Sequence, residues 1–276
     1  MEFDPLAFAG TAEYYSRGRP PYSTDIAEVM RHELSLDGNG RLLDVGCGPG
    51  VLELALAALF QRVIALDPEV GMLTEGARRS RHAGVDNVRW IQGVAEDIPV
   101  LEVAPCRAVT FGQSFHRVRR REVAELVFEV LEPGGSLVLI SNAVVGRPQP
   151  ESPGYPSIPH DAIEELIITY LGEGTRNYLE RWKVEPPERF EVALSQSRFR
   201  GSRTVYAPGR PDLIRDIDAV VDNYFSMSYA APRLFGDRRD DYEADLRRLL
   251  HEHSPAGLFW DWPGDTELVI ATKPGS

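Results

Sequence analysis

The chain has 276 residues, of which 43% are hydrophobic and 26% charged, and its formal net charge is −12. This composition is typical of a globular protein, and the acidic balance argues against a nucleic-acid backbone as the main partner. No apolar run approaches the ~20 residues that a membrane-spanning helix needs. The first ten residues, MEFDPLAFAG, lack the basic and apolar regions of a signal peptide, so we expect a cytoplasmic protein.

The two cysteines, Cys47 and Cys106, cannot form a CxxC metal or redox pair. We interpret both as packed thiols, and we predict no metal site. The densest basic stretch, RVRRRE at 117–122, is more typical of a solvated helix start than of a nucleic-acid contact.

Predicted strands and helices alternate after an aromatic, loop-rich segment of residues 1–22. A helix is expected over 24–34, with Ser23 or Thr24 at its N-cap and the turn sequence DGNG behind it. The strands that follow are predicted at 41–45, 62–67, 88–93, 107–112 and 136–141. The helices between them are predicted at 50–60, 70–82 and 119–131, the last closed by EPGG at 132–135. Apolar strands that alternate with helices indicate a parallel sheet covered on both faces.

The regular alternation ends at Asn142. Five prolines among the 14 residues 147–160 exclude a regular helix or strand there. Beyond them we predict helices at 160–171, 187–196, 212–225 and 239–252, and strands at 204–208 and 267–272. The predicted fold is therefore a doubly wound, mostly parallel, seven-stranded α/β sheet of the Rossmann-like type with helical cap insertions.

The predicted boundaries divide the chain into a core and a cap. The divisions are an N-terminal arm with the ligand-binding core (1–146), a cap insertion (147–185), a continuation of the core (186–208), a helical cap insertion (209–262) and a final core strand (263–276). Ligands of doubly wound folds bind at the carboxyl ends of the strands, so we expect the cap to cover that edge of the sheet.

The stretch LLDVGCGPG at 42–50 predicts a strand, a tight glycine loop and the start of a helix. Its spacing is D-x-G-x-G-x-G, from Asp44 to Gly50, and not the G-x-G-x-x-G of dinucleotide-binding proteins. The Asp44 carboxylate beside the loop would repel a pyrophosphate, but it would attract the ammonium group of a ligand. Asp67 ends the second strand 21 residues after Gly46, where a carboxylate can accept hydrogen bonds from ribose hydroxyls. Asp67 followed by Pro68 is also typical of a helix start, so the alternative is a helix N-cap, and the two roles are compatible. The pattern favours a nucleoside with an amino-acid tail.

Five segments in this order resemble class I S-adenosylmethionine (SAM)-dependent methyltransferases. They are LLDVGCGPG (42–50), ALDPEVGML (65–73), GVAEDIP (93–99), FGQSFH (111–116) and LEPGGSLVLI (131–140). The resemblance spans residues 41–141 and implies a methyltransferase with SAM as cofactor. The last third of the chain is similar to actinobacterial enzymes of this type, in keeping with an arginine-rich composition that contains only two lysines.

The resemblance also implies roles for particular residues. The backbone of Gly46, Cys47 and Gly48 would approach the methionine part of SAM, with Asp44 near its ammonium group. Asp67 would bind the ribose, and Pro68 and Met72 would flank the adenine. The Ala95 amide and the Glu96 side chain would read the adenine edge. The arm sequence EYYSRGRPPY resembles a segment that folds over the cofactor, which makes Tyr15 and Arg19 candidates for the SAM tail and Tyr14 a candidate for the acceptor. Ordinary packing of the arm is an equal alternative.

The acceptor site is expected after the fourth strand. His116 is the candidate general base, with a structural or solvated histidine as the alternative. Gln113, Ser114 and Phe115 are predicted to form the acceptor-pocket wall. The chain departs from the family at Val94, where an acidic residue is common, and at Arg117, where a tryptophan is common.

Absence of a DPPY or NPPY sequence after the fourth strand, together with the acidic charge, favours a small-molecule acceptor methylated at oxygen or nitrogen. Secondary metabolism is our first choice of pathway, and the oligomeric state is left open. Two alternatives are an NAD-dependent oxidoreductase and a non-catalytic SAM-binding protein.

Overall fold

A computed structural model describes residues 7–143, 150–184 and 189–275. The strands within these residues are β1 (Arg41–Val45), β2 (Arg62–Asp67), β3 (Val88–Gln92), β4 (Cys106–Gly112), β5 (Leu131–Ala143), β6 (Arg203–Ala207), β7 (Ile214–Asp216), β8 (Leu258–Trp260) and β9 (Asp265–Thr272). The helices are α1 (Ala12–Gly18), α2 (Ile26–Glu33), α3 (Val51–Leu56), α4 (Val70–Ala83), α5 (Arg120–Val130), α6 (His160–Leu171), α7 (Glu173–Val184), α8 (Phe190–Ser195), α9 (Ile217–Phe225) and α10 (Arg239–His253).

The central sheet has seven strands in the order β3-β2-β1-β4-β5-β9-β6. Pairs from β3 to β5 are parallel, whereas β9 is antiparallel to both β5 and β6. Among the described strands of this sheet, β9 alone therefore runs in the opposite direction. The predicted doubly wound, mostly parallel seven-stranded fold is confirmed. Its first five strands place their carboxyl ends along one edge, where the predicted ligand-binding segments follow β1, β2, β3 and β4.

Both faces of the sheet are covered by apolar packing. On one face, Phe111 and Val109 of the sheet pack with Val123 and Val127 of α5. The other face buries Leu42, Val138 and Ile270 against α2 and α3. Strands buried on both faces explain the continuous apolar runs of the sequence.

Several predicted elements have different bounds in the structure. Residues 212–225 were predicted as one helix, but a short strand, β7, precedes α9. Asp216 ends that strand and caps α9, because its Oδ1 accepts a hydrogen bond from the Ala219 amide at 2.8 Å. The predicted helix 50–60 divides into α3 and a 3₁₀ turn, Ala57–Leu59, and the turn expected at 132–135 lies within the bounds of β5. Residues 187–188 of the predicted helix 187–196 lie outside the described residues, and α8 begins at Phe190.

The predicted N-cap of the helix over 24–34 is also wrong. Helix α2 begins at Ile26, after Asp25. The Ser23 hydroxyl donates instead to the Pro208 carbonyl oxygen at 2.5 Å, and the Ser23 amide donates to Thr266 Oγ1 at 2.7 Å. Ser23 therefore attaches the arm to the end of the sheet and does not cap the helix.

A third apolar cluster lies outside the sheet. It joins α6, α9 and α10, with Ile163, Phe225 and Tyr242 almost completely buried. The two-stranded β7–β8 sheet contributes Phe259. The two sequence regions on either side of α8 and β6 thus share one core, which we call the cap cluster.

Helix α1 connects the arm to this cap. It packs along α9 so closely that a Cβ at Gly18 would lie 2.2 Å from the Asp222 carbonyl carbon and from the Asn223 nitrogen. Arg17 adds an ion pair, with its Nε 2.7 Å from Asp222 Oδ2. Glycine at position 18 therefore permits the approach of the two helices.

Candidate functional site

The glycine loop between β1 and α3 requires left-handed backbone at three positions. The φ angles are 69° at Gly46, 56° at Gly48 and 79° at Gly50. A Cβ at Gly46 would also lie 2.6 Å from the Ser114 Cβ, whereas a Cβ at Gly48 would meet no atom within 4 Å. Gly46 is thus required by packing as well as conformation, and the space in front of Gly48 is open to a ligand.

Hydrogen bonds within the chain use the amide groups of this loop. The amides of Gly46 and Cys47 donate to the Leu66 carbonyl oxygen at 2.8 and 3.1 Å. The Gly48 amide donates to Asp67 Oδ2 at 2.9 Å. These bonds tie the loop to the end of β2.

The rest of the loop also lacks a spare donor. Pro49 has no N–H group, and the Gly50 amide donates to the Cys47 carbonyl oxygen at 3.3 Å. A phosphate held at a glycine loop needs backbone N–H groups directed at it. From Gly46 to Gly50 these donors are engaged, so the loop does not fit a pyrophosphate.

Two buried carboxyl groups are close to each other beside the loop. Asp44 is 1% exposed, and its Oδ1 accepts a hydrogen bond from Thr110 Oγ1 at 2.6 Å. Glu53 of α3 is fully buried, its carboxyl group lies at hydrogen-bond distance from that of Asp44, and no other donor of the described residues reaches its oxygens. Burial raises the pKa of Asp44 to about 6. Burial also raises the pKa of Glu53 well above its usual range, and the charge of Asp44 adds to that rise.

Glu53 was not predicted as a site residue. The sequence signal was its position as the charged residue of the otherwise apolar stretch VLELALAALF. An acid on the buried face of such a helix is costly unless a partner compensates for it. Two buried acids side by side, with no cation of the described residues paired to either, indicate a place for a positively charged group.

Asp67 lies at the end of β2, as predicted, and is 7% exposed. Besides the bond from Gly48, its Oδ1 accepts a hydrogen bond from the Glu69 amide at 2.9 Å. Burial raises its pKa, and these two backbone bonds act in the opposite direction. Glu69 is the N-cap of α4, because its carboxylate accepts a hydrogen bond from the Met72 amide at 2.7 Å. Asp67 is therefore not the N-cap of that helix.

The residues predicted to surround the adenine differ in their exposure to solvent. Pro68 is partly exposed, whereas Met72 is 3% and Ala95 is 4% exposed. Glu96 is partly exposed and lies 3.6 Å from the Nε of Arg119. Its carboxylate therefore remains beside solvent, in the turn Ala95–Val100 after β3.

Asp97 orders that turn and was not predicted from the sequence. Its Oδ2 accepts a hydrogen bond from the Val94 amide at 2.9 Å. Asp97 thus fixes the backbone at Val94, the position at which the sequence departs from the family pattern.

The residues after β4 point in different directions. Gln113 is exposed and has a positive φ of 56°, an uncommon conformation for a residue with a side chain. Ser114 is buried, and its hydroxyl donates to the Val45 carbonyl oxygen at 2.6 Å. It joins the ends of β4 and β1, and its single hydroxyl proton is engaged in that bond.

Phe115 lies in the hydrophobic core, contrary to the prediction from the sequence. It is 1% exposed and packs edge-to-face against Phe111 and Phe190, with ring centroids 5.0 and 5.6 Å away. The 3₁₀ turn Phe115–Arg117 directs this side chain into the hydrophobic core. Phe115 therefore supports the turn and does not form the pocket wall expected from the sequence.

His116 is partly buried in the same turn. Burial, together with the cations of Arg117, Arg120 and Arg19, lowers the pKa of its imidazole to about 4. The imidazole is consequently neutral at physiological pH, and a neutral imidazole can accept a proton.

The arm residues separate into two groups. Tyr14 packs on Phe225 with ring centroids 5.2 Å apart, and its hydroxyl accepts a hydrogen bond from Arg239 Nη2 at 3.2 Å. Its ring is therefore part of the cap cluster. The Arg19 guanidinium lies over the ring of Tyr15, with Cζ 4.9 Å from the centroid.

Arg19 extends from the arm toward the cap. Its Nη2 donates to the Ser226 carbonyl oxygen at 3.2 Å, and its Nε is buried without a hydrogen-bond partner among the described residues. Tyr22, which was not predicted as a site residue, is partly buried on the neighbouring side of the arm, and its hydroxyl would lie 3.0 Å from a Cβ at Gly112.

A separate groove lies at the opposite edge of the sheet. Its volume is about 570 Å³, and its lining includes Arg41, Arg62, Asp86 and Arg89 at the amino ends of β1, β2 and β3. None of the predicted site residues lines it. In the described residues, no cluster of three metal-ligating side chains and no helix long and apolar enough to cross a membrane is found.

Comparison with known proteins identifies the family. The family described as "Methyltransferase domain" matches residues 42–135, which contain the glycine loop, Asp67 and the segments after β3 and β4. An uncharacterised methyltransferase of Schizosaccharomyces pombe, C25B8.09, is 33% identical over 241 residues, which cover 86% of this chain and 84% of that protein. The chain belongs to the class I SAM-dependent methyltransferases. The methyltransferase accordingly uses SAM, as the sequence predicted.

Other relatives match a smaller part of the methyltransferase. The uncharacterised methyltransferase YcgJ of Bacillus subtilis is 32% identical over 106 residues, which cover 37% of this chain and 40% of that protein. The crystal structure of YcgJ superposes with a TM-score of 0.48 and 17% identity, over 91% of this chain and 98% of that chain.

Proposed function

We propose that this methyltransferase transfers a methyl group from SAM to an oxygen or nitrogen atom of a small molecule, in a pathway of secondary metabolism. The observation that carries the cofactor's placement is the hydrogen-bond pattern of the glycine loop, whose amide donors are engaged while Asp44 and Glu53 lie beside it. Such a loop offers carbonyl oxygens and carboxylates, which suit a cation.

The donor set fits the parts of SAM. The ammonium group would lie at the glycine loop, near Asp44 and Glu53, where a positive charge compensates two buried acids. Asp67 has accepting capacity on each oxygen beyond its two backbone bonds, and ribose hydroxyls can use it. The buried Nε of Arg19, without a partner in the described part of the chain, suits the cofactor carboxylate.

Adenine would occupy the space between the residues after β2 and those after β3. Pro68 and Met72 provide the apolar surface, and the Ala95 amide with the Glu96 side chain provides polar contacts. Tyr15 and the Arg19 guanidinium that lies over its ring would cover the methionine part of SAM from the side of the arm.

The acceptor would enter from the side of the cap. We propose that the insertions 147–185 and 209–262 form one cap, supported by the cluster that α6 shares with α9 and α10. Gln113 and His116 would face the acceptor, while Tyr14 and Ser114 would support the site from their packed positions. Residues 186–208 continue the core through α8, whose Leu194 lies in the main apolar cluster, and β6.

Bound SAM supplies an electrophilic methyl group on a sulfonium. The residues of this chain would align the acceptor lone pair with it and exclude water. The neutral His116 imidazole would accept the proton that a hydroxyl or protonated nitrogen acceptor must lose.

Two measurements test the proposal. Isothermal titration calorimetry should detect binding of SAM and of S-adenosylhomocysteine, and no binding of NAD. Labelled SAM should yield labelled product and S-adenosylhomocysteine when a cell extract is added as the source of acceptor. NAD binding would support the oxidoreductase alternative, and SAM binding without acceptor-dependent S-adenosylhomocysteine would support a non-catalytic protein.

A further inference from the structure

The side chain of Arg117 is partly buried, and no carboxylate of the described residues lies within ion-pair distance of its guanidinium. In residues 7–143, 150–184 and 189–275, its polar contact is a hydrogen bond from Nη2 to Ser228 Oγ at 3.5 Å, the limit for such a bond. Its Cζ lies 4.4 Å from the centroid of the Phe8 ring. Stacking on an aromatic ring covers one face of a guanidinium and leaves the donors at its edge available.

A second cation is close to it. Burial lowers the pKa of Arg117 and the charge of Arg19 acts in the same direction, whereas Tyr178 and the more distant Asp67 carboxylate raise it. Arg19 itself lacks an ion-pair partner within the described ranges and has a buried, unpartnered Nε. Two neighbouring cations in a partly buried place repel each other and lose hydration, which is unfavourable unless anions bind there.

Elsewhere in the chain, a buried arginine forms an ion pair with a carboxylate. Arg215 is 5% exposed, and its Nη1 lies 3.1 Å from Asp261 Oδ2. Acidic residues are plentiful, with 42 against 30 basic ones. Arg215 shows that the chain can pair a buried arginine with a carboxylate, whereas Arg117 has no such ion pair among the described residues.

Arg117 lies next to the proposed base and contacts the segment after α9. It follows His116 directly, in the turn after β4, and its neighbour Ser228 belongs to the cap segment after α9. The phenol groups of Tyr178 and Tyr229 lie near the two cations, with their ring centroids 5.9 Å apart. Guanidinium and hydroxyl groups from the core and the cap thus converge beside the proposed base.

We infer that Arg117 binds a carboxylate group of the methyl acceptor, so that the substrate of this methyltransferase is a small organic acid. SAM carries one carboxylate, which the proposed function assigns to Arg19, and the second cation then requires an anion from the acceptor. The planar fork of arginine matches a carboxylate through two parallel hydrogen bonds. This inference rests on the proposed function.

Matched pairs of small molecules test the carboxylate. The protein is saturated with S-adenosylhomocysteine, and binding of benzoate, hexanoate and phenylacetate is compared with binding of the corresponding primary amides by thermal shift and calorimetry. We expect at least one acid to bind tenfold or more tightly than its amide in the wild-type protein. That preference should disappear in Arg117→Met and persist in Arg198→Met, a surface control whose guanidinium pairs with Glu125 and Glu129.

Stability separates a binding role from a structural one. Since no carboxylate of the described residues pairs with Arg117, we expect Arg117→Met to keep or raise the melting temperature of the ligand-free protein. Arg215→Met, which leaves Asp261 buried without its partner, should lower the melting temperature clearly. Arg117→Lys retains the charge and should keep part of the preference for acids.

Four results would overturn the inference. They are the absence of any acid preference in the wild-type protein, its persistence in Arg117→Met, tighter binding of phenyl phosphate than of benzoate, and a tenfold loss of S-adenosylhomocysteine affinity in Arg117→Met. The last would assign Arg117 to the cofactor. Failure of the wild-type protein to bind S-adenosylhomocysteine would instead contradict the proposed function, so the two failures are distinguishable.

Discussion

The Asp67 carboxylate accepts a hydrogen bond from the Gly48 amide at 2.9 Å, and this bond joins the end of β2 to the glycine loop after β1. One side chain thus holds the loop and offers its remaining lone pairs to a ligand. Substituting Asp67→Ala removes both contributions. We expect at least a tenfold loss of SAM affinity, which corresponds to about 1.4 kcal/mol, measured by calorimetry.

A matched substitution distinguishes ligand binding from loop support. Asp67→Asn keeps one carbonyl oxygen that can accept from the Gly48 amide, but it replaces the other oxygen with a donor. It should retain more of the melting temperature than Asp67→Ala and still bind SAM more weakly than the wild-type protein. Unchanged SAM affinity in both variants would contradict the placement of the ribose at Asp67.

The sequence predicted where the glycine loop and Asp67 lie in the fold, because the signals for these positions are local. The loop, its preceding acid and Asp67 lie within 24 residues, and alternation of strands and helices determines which edge they share. Phe115 was misplaced because the turn after β4 sends adjacent side chains to opposite sides. Tyr14 joined the cap cluster through packing of α1 on α9, more than 200 residues away in sequence, and no local pattern indicates such a contact.

Glu53 and Asp44 should make stability fall as pH rises. Both carboxyl groups have pKa values raised in the folded state, so the folded protein binds more protons than the unfolded chain. The stabilising contribution is complete below their unfolded pKa values, near pH 4, and is lost as pH rises through the folded values. Because Glu53→Gln stays neutral, its melting temperature relative to the wild-type protein should rise steadily from pH 4 to pH 8.

Substitution of the exposed Glu122, as in Glu122→Gln, is the control for that comparison and should show no such trend with pH.

The two buried acids also affect binding of the ligand. Binding of the SAM ammonium group beside the two acids should release a proton near pH 6, which calorimetry in buffers of different ionisation enthalpy can measure. Equal proton release in wild-type protein and Glu53→Gln would exclude Glu53 from the ammonium site.

Gly18 should be intolerant of a side chain. A Cβ there would lie 2.2 Å from the backbone of α9, so Gly18→Ala must separate α1 from α9. We expect a loss of about 1–3 kcal/mol in the free energy of unfolding, the usual cost of overpacking. A Cβ at Gly174, in helix α7, would meet no atom within 4 Å, and Gly174→Ala should leave stability unchanged or raise it by up to about 1 kcal/mol.

The position of Arg19 depends on the same contact, since this residue follows α1 directly. Gly18→Ala should therefore weaken SAM binding as well as stability. Equal urea midpoints for Gly18→Ala and Gly174→Ala would contradict the close approach of the two helices.

His116 gives the most direct test of chemistry. Its lowered pKa of about 4 keeps the imidazole neutral from pH 5 upward, so the acidic limb of the kcat/KM profile should lie near pH 4 and not near 6.5. Removing the charge of Arg120, as in Arg120→Met, should move that limb to higher pH. His116→Ala should lower kcat by 10²–10⁴-fold, the usual contribution of general-base catalysis, with the SAM dissociation constant changed less than twofold. If His116→Ala turns over at the wild-type rate, alignment of the acceptor is sufficient for methyl transfer and the proton leaves by another route.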